Sequence, residues 1–395
     1  MTTIVVSGAI ANKYLNGGAA WTRLNWVLGF KQLGFRVAFV EQIRRDHCID
    51  RKGAVAPFES CANRAYFRQV VEQFGLSGSA ALLYENGEQI DGLSEAELFE
   101  LAETAAVLVN ISGHLTWEPL LRRLRRKAYI DLDPGFTQFW HASGNADLRL
   151  DGHDFYFSVG ENIGTAGCPI PTHGIRWRPI RQPVVLEYWP VCPPFPLPIR
   201  GGAEEAARVR FTTIASWRGP YGPVEYGGKT FGLKVHEFRK FIELPERADQ
   251  TFEIALDIHP ADEQDRIALS RHGWQLVDPK SVAADPAAFR RYVQASGAEL
   301  SVAQGIYVDT ESGWFSDRTA RYLASGKPAL VQDTGFSRNL PVGEGLLAFS
   351  TLQEAIAGVE RIAADYERHC RAARKLAEAF FDSEKVLGQF MEEIG

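Results

Sequence analysis

At 395 residues the chain exceeds what one ordinary core organises, so two domains are expected. Hydrophobic content of 45% and charged content of 23% fit a folded globular protein and exclude a disordered one. The formal net charge of −6 is no polyelectrolyte signature; it predicts no nucleic-acid partner but leaves room for a small anion in a local basic pocket.

The chain opens on MTTIVVSGAIANKY, a β-branched strand and a glycine turn without the charged start and long apolar core of a signal peptide. Ile4–Ile10 is predicted as a strand, Trp21–Leu33 as a helix and Arg36–Val40 as a strand. Helix Ala62–Phe74, strand Ala81–Tyr84, helix Ser94–Thr104, strand Ala106–Ile111, helix Trp117–Arg126 and strand Ala128–Leu132 follow. Short strands alternating with amphipathic helices predict a parallel sheet with crossover helices. The rhythm breaks from Pro169 to Pro198, a stretch dense in proline that ends in PVCPPFPLP and reads as a linker or extended crossing.

Alternation then resumes: strand Arg210–Trp217, helix Val235–Leu244, strand Phe252–Ile258, helix Glu263–His272, strand Trp274–Val277 and helix Ala287–Ala295. Strand Glu299–Val302, helix Ser316–Ser325, strand Pro328–Gln332 and an almost wholly helical tail from Leu352 complete it. The expected architecture is α/β: two doubly wound Rossmann-like domains facing across a cleft, with boundaries at 1–185, a linker over 186–208, a second domain over 209–375 and a terminal helix over 376–395.

The five cysteines (Cys48, Cys61, Cys168, Cys192 and Cys370) are scattered and form no CxxC pair, which predicts reduced thiols and a cytoplasmic protein. No run of 18 apolar residues offers a membrane span. GAIANKYLNGG, after the first strand, contains no GxGxxG, so a dinucleotide fingerprint is unsupported and an oxidoreductase is disfavoured.

In the second half, Ser316-Asp317-Arg318 opens a helix whose free N–H groups and dipole suit a phosphate, with Arg318 adding charge; read in isolation it is an ordinary capped helix. Arg218, at a strand end in SWRG, and Lys229 and Lys234 shortly after it are either phosphate ligands or solvated basic residues. In the first half, Ser112-Gly113-His114 and Asp131-Leu132-Asp133-Pro134-Gly135 end two strands, with His141 nearby. Asp133 either caps the helix near Phe136 or serves as a base, and His114 is either a turn residue or a base. Asp131 and Asp133 also have the spacing of a metal-binding Asp-x-Asp pair, weakly, and Glu161 in GENIG is a less favoured acid. Trp21, Phe136, Phe139 and Trp140 are expected chiefly in the core.

The stretch from Gly313-Trp314-Phe315-Ser316 through Ala324-Ser325-Gly326-Lys327-Pro328 to Asp333-Thr334-Gly335 resembles the donor-binding region of two-domain, GT-B-type glycosyltransferases. The resemblance implies that Gly313, Ser316 and Arg318, with Arg218, Lys229 and Lys234, hold a nucleotide diphosphate, and that Asp317, Asp333 and Thr334 meet the donor's sugar and ribose. It implies that Asn12, Gly17 and Gly18 line the acceptor side, and that Asp133 or His114 removes the acceptor proton. The two glutamates of many retaining members are replaced by Gly313 and Arg321, which leans the reading toward inversion. The resemblance also implies a final helix that returns to the first domain. The expectation is a nucleotide-sugar-dependent transferase with a small-molecule or glycan acceptor and no metal or other cofactor; a nucleotide-sugar epimerase or a non-catalytic nucleotide- or sugar-binding protein is the alternative.

Overall fold

Apolar β-branched runs set the first sheet. TIVVS at Thr3–Ser7 (β1) is buried at every residue, as befits a central strand of a parallel sheet covered on both faces. Around it lie Arg36–Ile43 (β2), Ala80–Tyr84 (β3), Gln89–Gly92 (β4), Ala105–Ile111 (β5), Lys127–Asp131 (β6), Phe155–Ser158 (β7) and Trp177–Pro179 (β8). Their order is β4-β3-β2-β1-β5-β6-β7-β8, parallel throughout except for the antiparallel β3–β4 pair. The structure, a computed structural model, describes residues 2–144, 148–192 and 208–395.

The second sheet comprises Arg210–Ser216 (β9), Thr251–Asp257 (β12), Gln275–Val277 (β13), Ala298–Ser301 (β14), Ala329–Gln332 (β15) and Leu346–Phe349 (β16), all parallel, in the order β13-β12-β9-β14-β15-β16. Val224–Tyr226 (β10) and Lys229–Phe231 (β11) form a separate antiparallel hairpin. In both sheets the first strand has neighbours on opposite sides that wind in opposite directions: β1 lies between β2 and β5, β9 between β12 and β14. Such switch points open a crevice at the carboxyl ends of the strands. The two crevices face each other.

Several elements differ from the sequence reading. The first strand stops at Ser7, because Ile10 and Ala11 turn to give their N–H groups to the buried Glu41 carboxylate, both at 2.8 Å. The helix expected over Trp117–Arg126 is confined to Glu118–Leu121. The proline-dense stretch is no mere linker: it contributes β8, an edge strand, where proline is tolerated. Of the linker expected over 186–208, residues 193–207 lie outside the described residues.

The helical tail is three helices, Leu352–Ala364, Tyr366–Phe380 and Ser383–Ile394. The last packs on the Gly17–Gln32 helix of the first domain. Phe390 meets Trp26 edge-on at 5.7 Å and Phe157 at 4.9 Å, and Leu387 is fully buried beside Gly29. Arg126 and Arg178 donate to the carbonyls of Gly395 and Glu393. The outgoing and returning crossings also bond to each other: Val184 N–H donates to Phe381 O at 2.7 Å, and Ser383 N–H to Val184 O at 3.0 Å. Removing the Phe390 ring leaves a cavity among three aromatics, so Phe390→Ala should cost about 3–5 kcal/mol. A denaturation midpoint unchanged from that of the parent would show that the last helix does not support the first domain.

Candidate functional site

The facing crevices form one cleft of about 800 Å³. Its first-domain wall comes from the turn after β1, the start of the Gly17–Gln32 helix, and the ends of β5 and β6, which supply Lys13, Gly18, Arg23, His114 and Asp133. Its second-domain wall comes from the ends of β9 and β12 and the mouth of the Asp317–Ala324 helix, which supply Ser216, Asp257, Asp317, Arg318 and Arg321. Two lining residues, Leu15 and Ser112, hold φ at 58° and 54°, backbone conformations that non-glycine residues rarely adopt and that concentrate at functional sites.

The walls are tied together by buried charge. Arg321, 1% exposed, donates to Asp317 at 2.6 Å and, across the cleft, to Gly18 O at 3.2 Å and Thr22 Oγ1 at 3.0 Å. Thr22 in turn donates to Asp317 at 2.5 Å. Burial would push the Asp317 carboxyl up, but Arg321, Thr22, Arg318 and Arg23 outweigh it and hold it below the usual range. The close approach requires glycine at the helix start: a Cβ on Gly17 would stand 2.1 Å from Asp285 O.

Asp133 and His114 face this seam from the first domain. Burial, with Asp131 beside it, pushes the Asp133 carboxyl up to about 6, against the pull of Lys13, Arg23 and a 3.3 Å bond from the Tyr307 hydroxyl. Burial first, then Arg23, Lys13, Arg149 and His47, lowers His114 to about 3, so its imidazole is neutral near pH 7. Asp131 is committed elsewhere: it accepts from Thr137, Gln138 and Ser158 at 2.6–2.9 Å. Among the described residues no group of three or more His, Cys, Asp or Glu is arranged to hold a metal ion.

The other predicted residues divide. Arg318 lines the cleft at the helix mouth, held by Glu299 at 2.5 Å, Ile214 O at 2.7 Å and Ser301 at 2.9 Å. Lys234 lies behind it; burial and Arg318 lower its ammonium to about 7. Ser316 precedes the helix without capping it through its side chain. Gly313, at φ 77°, packs on Asn162 of the first domain, where a Cβ would meet the Asn162 amide at 2.9 Å.

Six predicted groups are engaged away from the cleft. Arg218 is bound bidentate by Asp262, and Lys229 stands 3.7 Å from Asp309 over the Phe231 ring. Asp333 closes its own turn through Gly335 N–H and Ser337, and Thr334 donates to Trp314 O, so both brace the loop behind the helix mouth. Asn12 braces the β1 turn, donating to Glu41 and Gln42 O and touching His47. Glu161 is paired with Arg181. Thr22, Arg23, Tyr307 and Asn162 escaped the sequence reading. For Arg23 a signal existed: a charge in WTRLNWVLGF, a helix segment buried on nearly every face.

No protein-family model matches the chain, and no curated protein matches it in sequence. Solved structures match over its whole length. An α-glucosyltransferase in complex with UDP-glucose and DNA containing an abasic site superposes with TM-score 0.62 at 12% identity, covering 100% of this chain and 98% of that one. Anabaena HepE in complex with UDP and glucose gives 0.60 at 11%, covering 100% and 99%. Sucrose-phosphate synthase of Thermosynechococcus elongatus gives 0.57 at 13%, covering 100% and 99%. The chain therefore has the GT-B fold of two-domain glycosyltransferases.

One expectation is corrected by these neighbours. The α-glucosyltransferase is also seen with DNA carrying an HMU base or a central A:G mismatch, so net charge does not exclude a nucleic-acid partner for a chain of this fold. Among the described residues no helix is long and apolar enough to cross a membrane.

The Asp317–Arg321 pair yields a stability test. Asp317→Ala strands a buried guanidinium and should cost about 3–5 kcal/mol, whereas Asp317→Leu with Arg321→Met should recover most of that loss. Equal melting of the single variant and the parent would mean that the pair does not hold the seam.

Proposed function

We propose that the protein transfers a glycosyl group from a nucleoside-diphosphate sugar, bound by the second domain, to a nucleophile bound by the first. The observation that carries this reading is one carboxyl of raised pKa, Asp133, facing the mouth of the Asp317–Ala324 helix across the cleft of a GT-B fold. The helix mouth and Arg318 receive the diphosphate, with Lys234 behind them as a further source of positive charge. They stabilise the negative charge that develops on the leaving group. Asp133 takes the acceptor proton as the new bond forms at the anomeric carbon. His114 does not compete for this role; burial and the surrounding cations make its imidazole too weak a base to take the proton, so it stays neutral near pH 7 and is left to hydrogen-bond the acceptor.

A single base on the acceptor side supports inversion, and the cations at the leaving group support transfer without a metal or other cofactor. The free thiols of all five cysteines support a cytoplasmic location. Thermal shifts with UDP, GDP, ADP and dTDP identify the base, since a ligand that binds only the folded state raises the melting temperature. NMR of the product's anomeric proton reads the stereochemistry. Stabilisation by none of the four diphosphates would count against the donor site.

Asp133 gives two linked expectations. As the base it must be ionised, so kcat/KM should rise through about pH 6 and level off above it. Asp133→Asn should lower kcat by roughly 10²–10⁴-fold. The same change should raise the melting temperature at pH 7–8. Because the folded carboxyl titrates above its unfolded value of 3.8, its ionisation opposes folding increasingly from pH 3.8 to about 6, and an amide removes that term. A variant that is both slow and less stable would point to a structural role for Asp133. Chelation by EDTA should leave turnover intact; loss restored by manganese or magnesium would assign a metal to the site.

A further inference from the structure

The first-domain wall of the cleft is positively charged in a chain that is negative overall. Lys13, Arg23, Arg51 and Lys52 line it, opposed on that wall by Asp50 and Asp133 alone. Asp50 is occupied by its own loop, accepting from the Lys52 and Ala54 N–H groups at 2.8 and 3.0 Å. Neither the helix mouth nor Arg318 belongs to this wall, so the diphosphate already has its cations on the other side.

Arg23 is the deepest of the four, 6% exposed. Among the described residues its guanidinium makes one hydrogen bond, from Nη1 to Ala19 O at 3.2 Å, and its buried Nε has no partner. Glu41, Asp317 and Asp133 support its charge through space, yet none of them is hydrogen-bonded to it. Burial first, and the neighbouring Arg321 after it, lower its affinity for the proton, so the site holds a desolvated cation at a cost that a contacting anion would offset. Gly8, at the end of β1, lets it lie flat against the strand: a Cβ there would meet Arg23 Cγ at 2.8 Å. Arg23 and Lys13 both act on His114 and Asp133, so the cationic patch adjoins the proposed base.

We propose that the acceptor carries its own anionic group, a phosphate or a carboxylate, bound by Arg23 and Lys13 at the first domain's switch point. The inference rests on the glycosyl-transfer reading and names the acceptor class. Guanidinium recognises either oxyanion through paired N–H donors, and the depth of Arg23 favours a small acidic sugar or sugar phosphate over the backbone of a polymer.

The test uses the full chain saturated with whichever nucleoside diphosphate stabilises it, so that the donor side is filled. Inorganic phosphate or glucuronate should then raise the melting temperature further. Arg23→Met should abolish this second shift and keep the nucleoside-diphosphate shift. Lys13→Met, a change at an exposed side chain that leaves the core untouched, should weaken the second shift roughly 10-fold or more in apparent affinity. Arg23→Lys should restore part of it. Glucose 6-phosphate as the probe distinguishes a phosphate acceptor from the carboxylate represented by glucuronate.

Three results would overturn the proposal. One is the absence of a second shift with any of the three probes. Another is loss of the nucleoside-diphosphate shift in Arg23→Met, which would return Arg23 to the donor. The third is a second shift produced only by an oligothymidylate, which would make the patch a nucleic-acid contact. If no nucleoside diphosphate stabilises the protein, the glycosyl-transfer reading fails instead, and the phosphate shift remains measurable on the free chain.

Discussion

Arg321 is an ion withdrawn from water between two sheets, and much of the cleft's chemistry follows from how it is compensated. Its carboxylate partner, Asp317, belongs to its own helix, but Gly18 O and Thr22 Oγ1 belong to the opposite domain. A guanidinium in that position without these acceptors would be costly, so the first domain is drawn against the second until both can contribute to its Nη groups, while among the described residues its buried Nε has no hydrogen-bond partner. Once the seam is closed, every titratable group inside it loses solvation. The same desolvation raises Asp133, lowers His114 and lowers Lys234, which separates a carboxyl able to work as a base from an imidazole that is not.

The architecture was legible because parallel sheets write themselves as repeated short apolar runs between amphipathic helices. β2, β5 and β6 fall within a residue or a few of where RVAFV, AVLVNI and AYIDL place them, while β1 covers only the start of the run expected over Ile4–Ile10. What escaped were elements of three or four residues, too short to show a periodic pattern: β8 inside a proline-rich stretch, β4 as an antiparallel edge, and the β10–β11 hairpin. The helix mouth at Ser316 and the strand-end Asp133 and His114 were readable, since strand ends in such sheets face ligands. Arg218, Asp333 and Asn12 were indistinguishable from ligand-binding groups in one dimension. Each finds a local partner (Asp262, Ser337 and Glu41) that no spacing rule reveals. Arg23 was the reverse case, a charge hidden inside an apolar helix whose meaning depends on which strands end beside it.

The likeness to other GT-B structures, at 11–13% identity, extends to layout and not to side chains. Specificity in such a fold lies in the walls of the cleft. Here those walls differ in kind. The second domain presents a helix mouth with paired ions, and the first presents cations in excess of acids.

The docking of Ser383–Ile394 on Trp26, Phe30 and Phe157 makes the first domain discontinuous in the chain. A ribosome delivers the second domain's strands and helices, Arg210 to Phe380, as one uninterrupted block. The flank of the first sheet, although translated before that block, waits for Ser383–Ile394 before it is sealed. Maturation therefore runs against the direction of synthesis: the later-made half can close on its own while the earlier-made half keeps an aromatic face open. That face is the surface a chaperone would meet on the nascent chain.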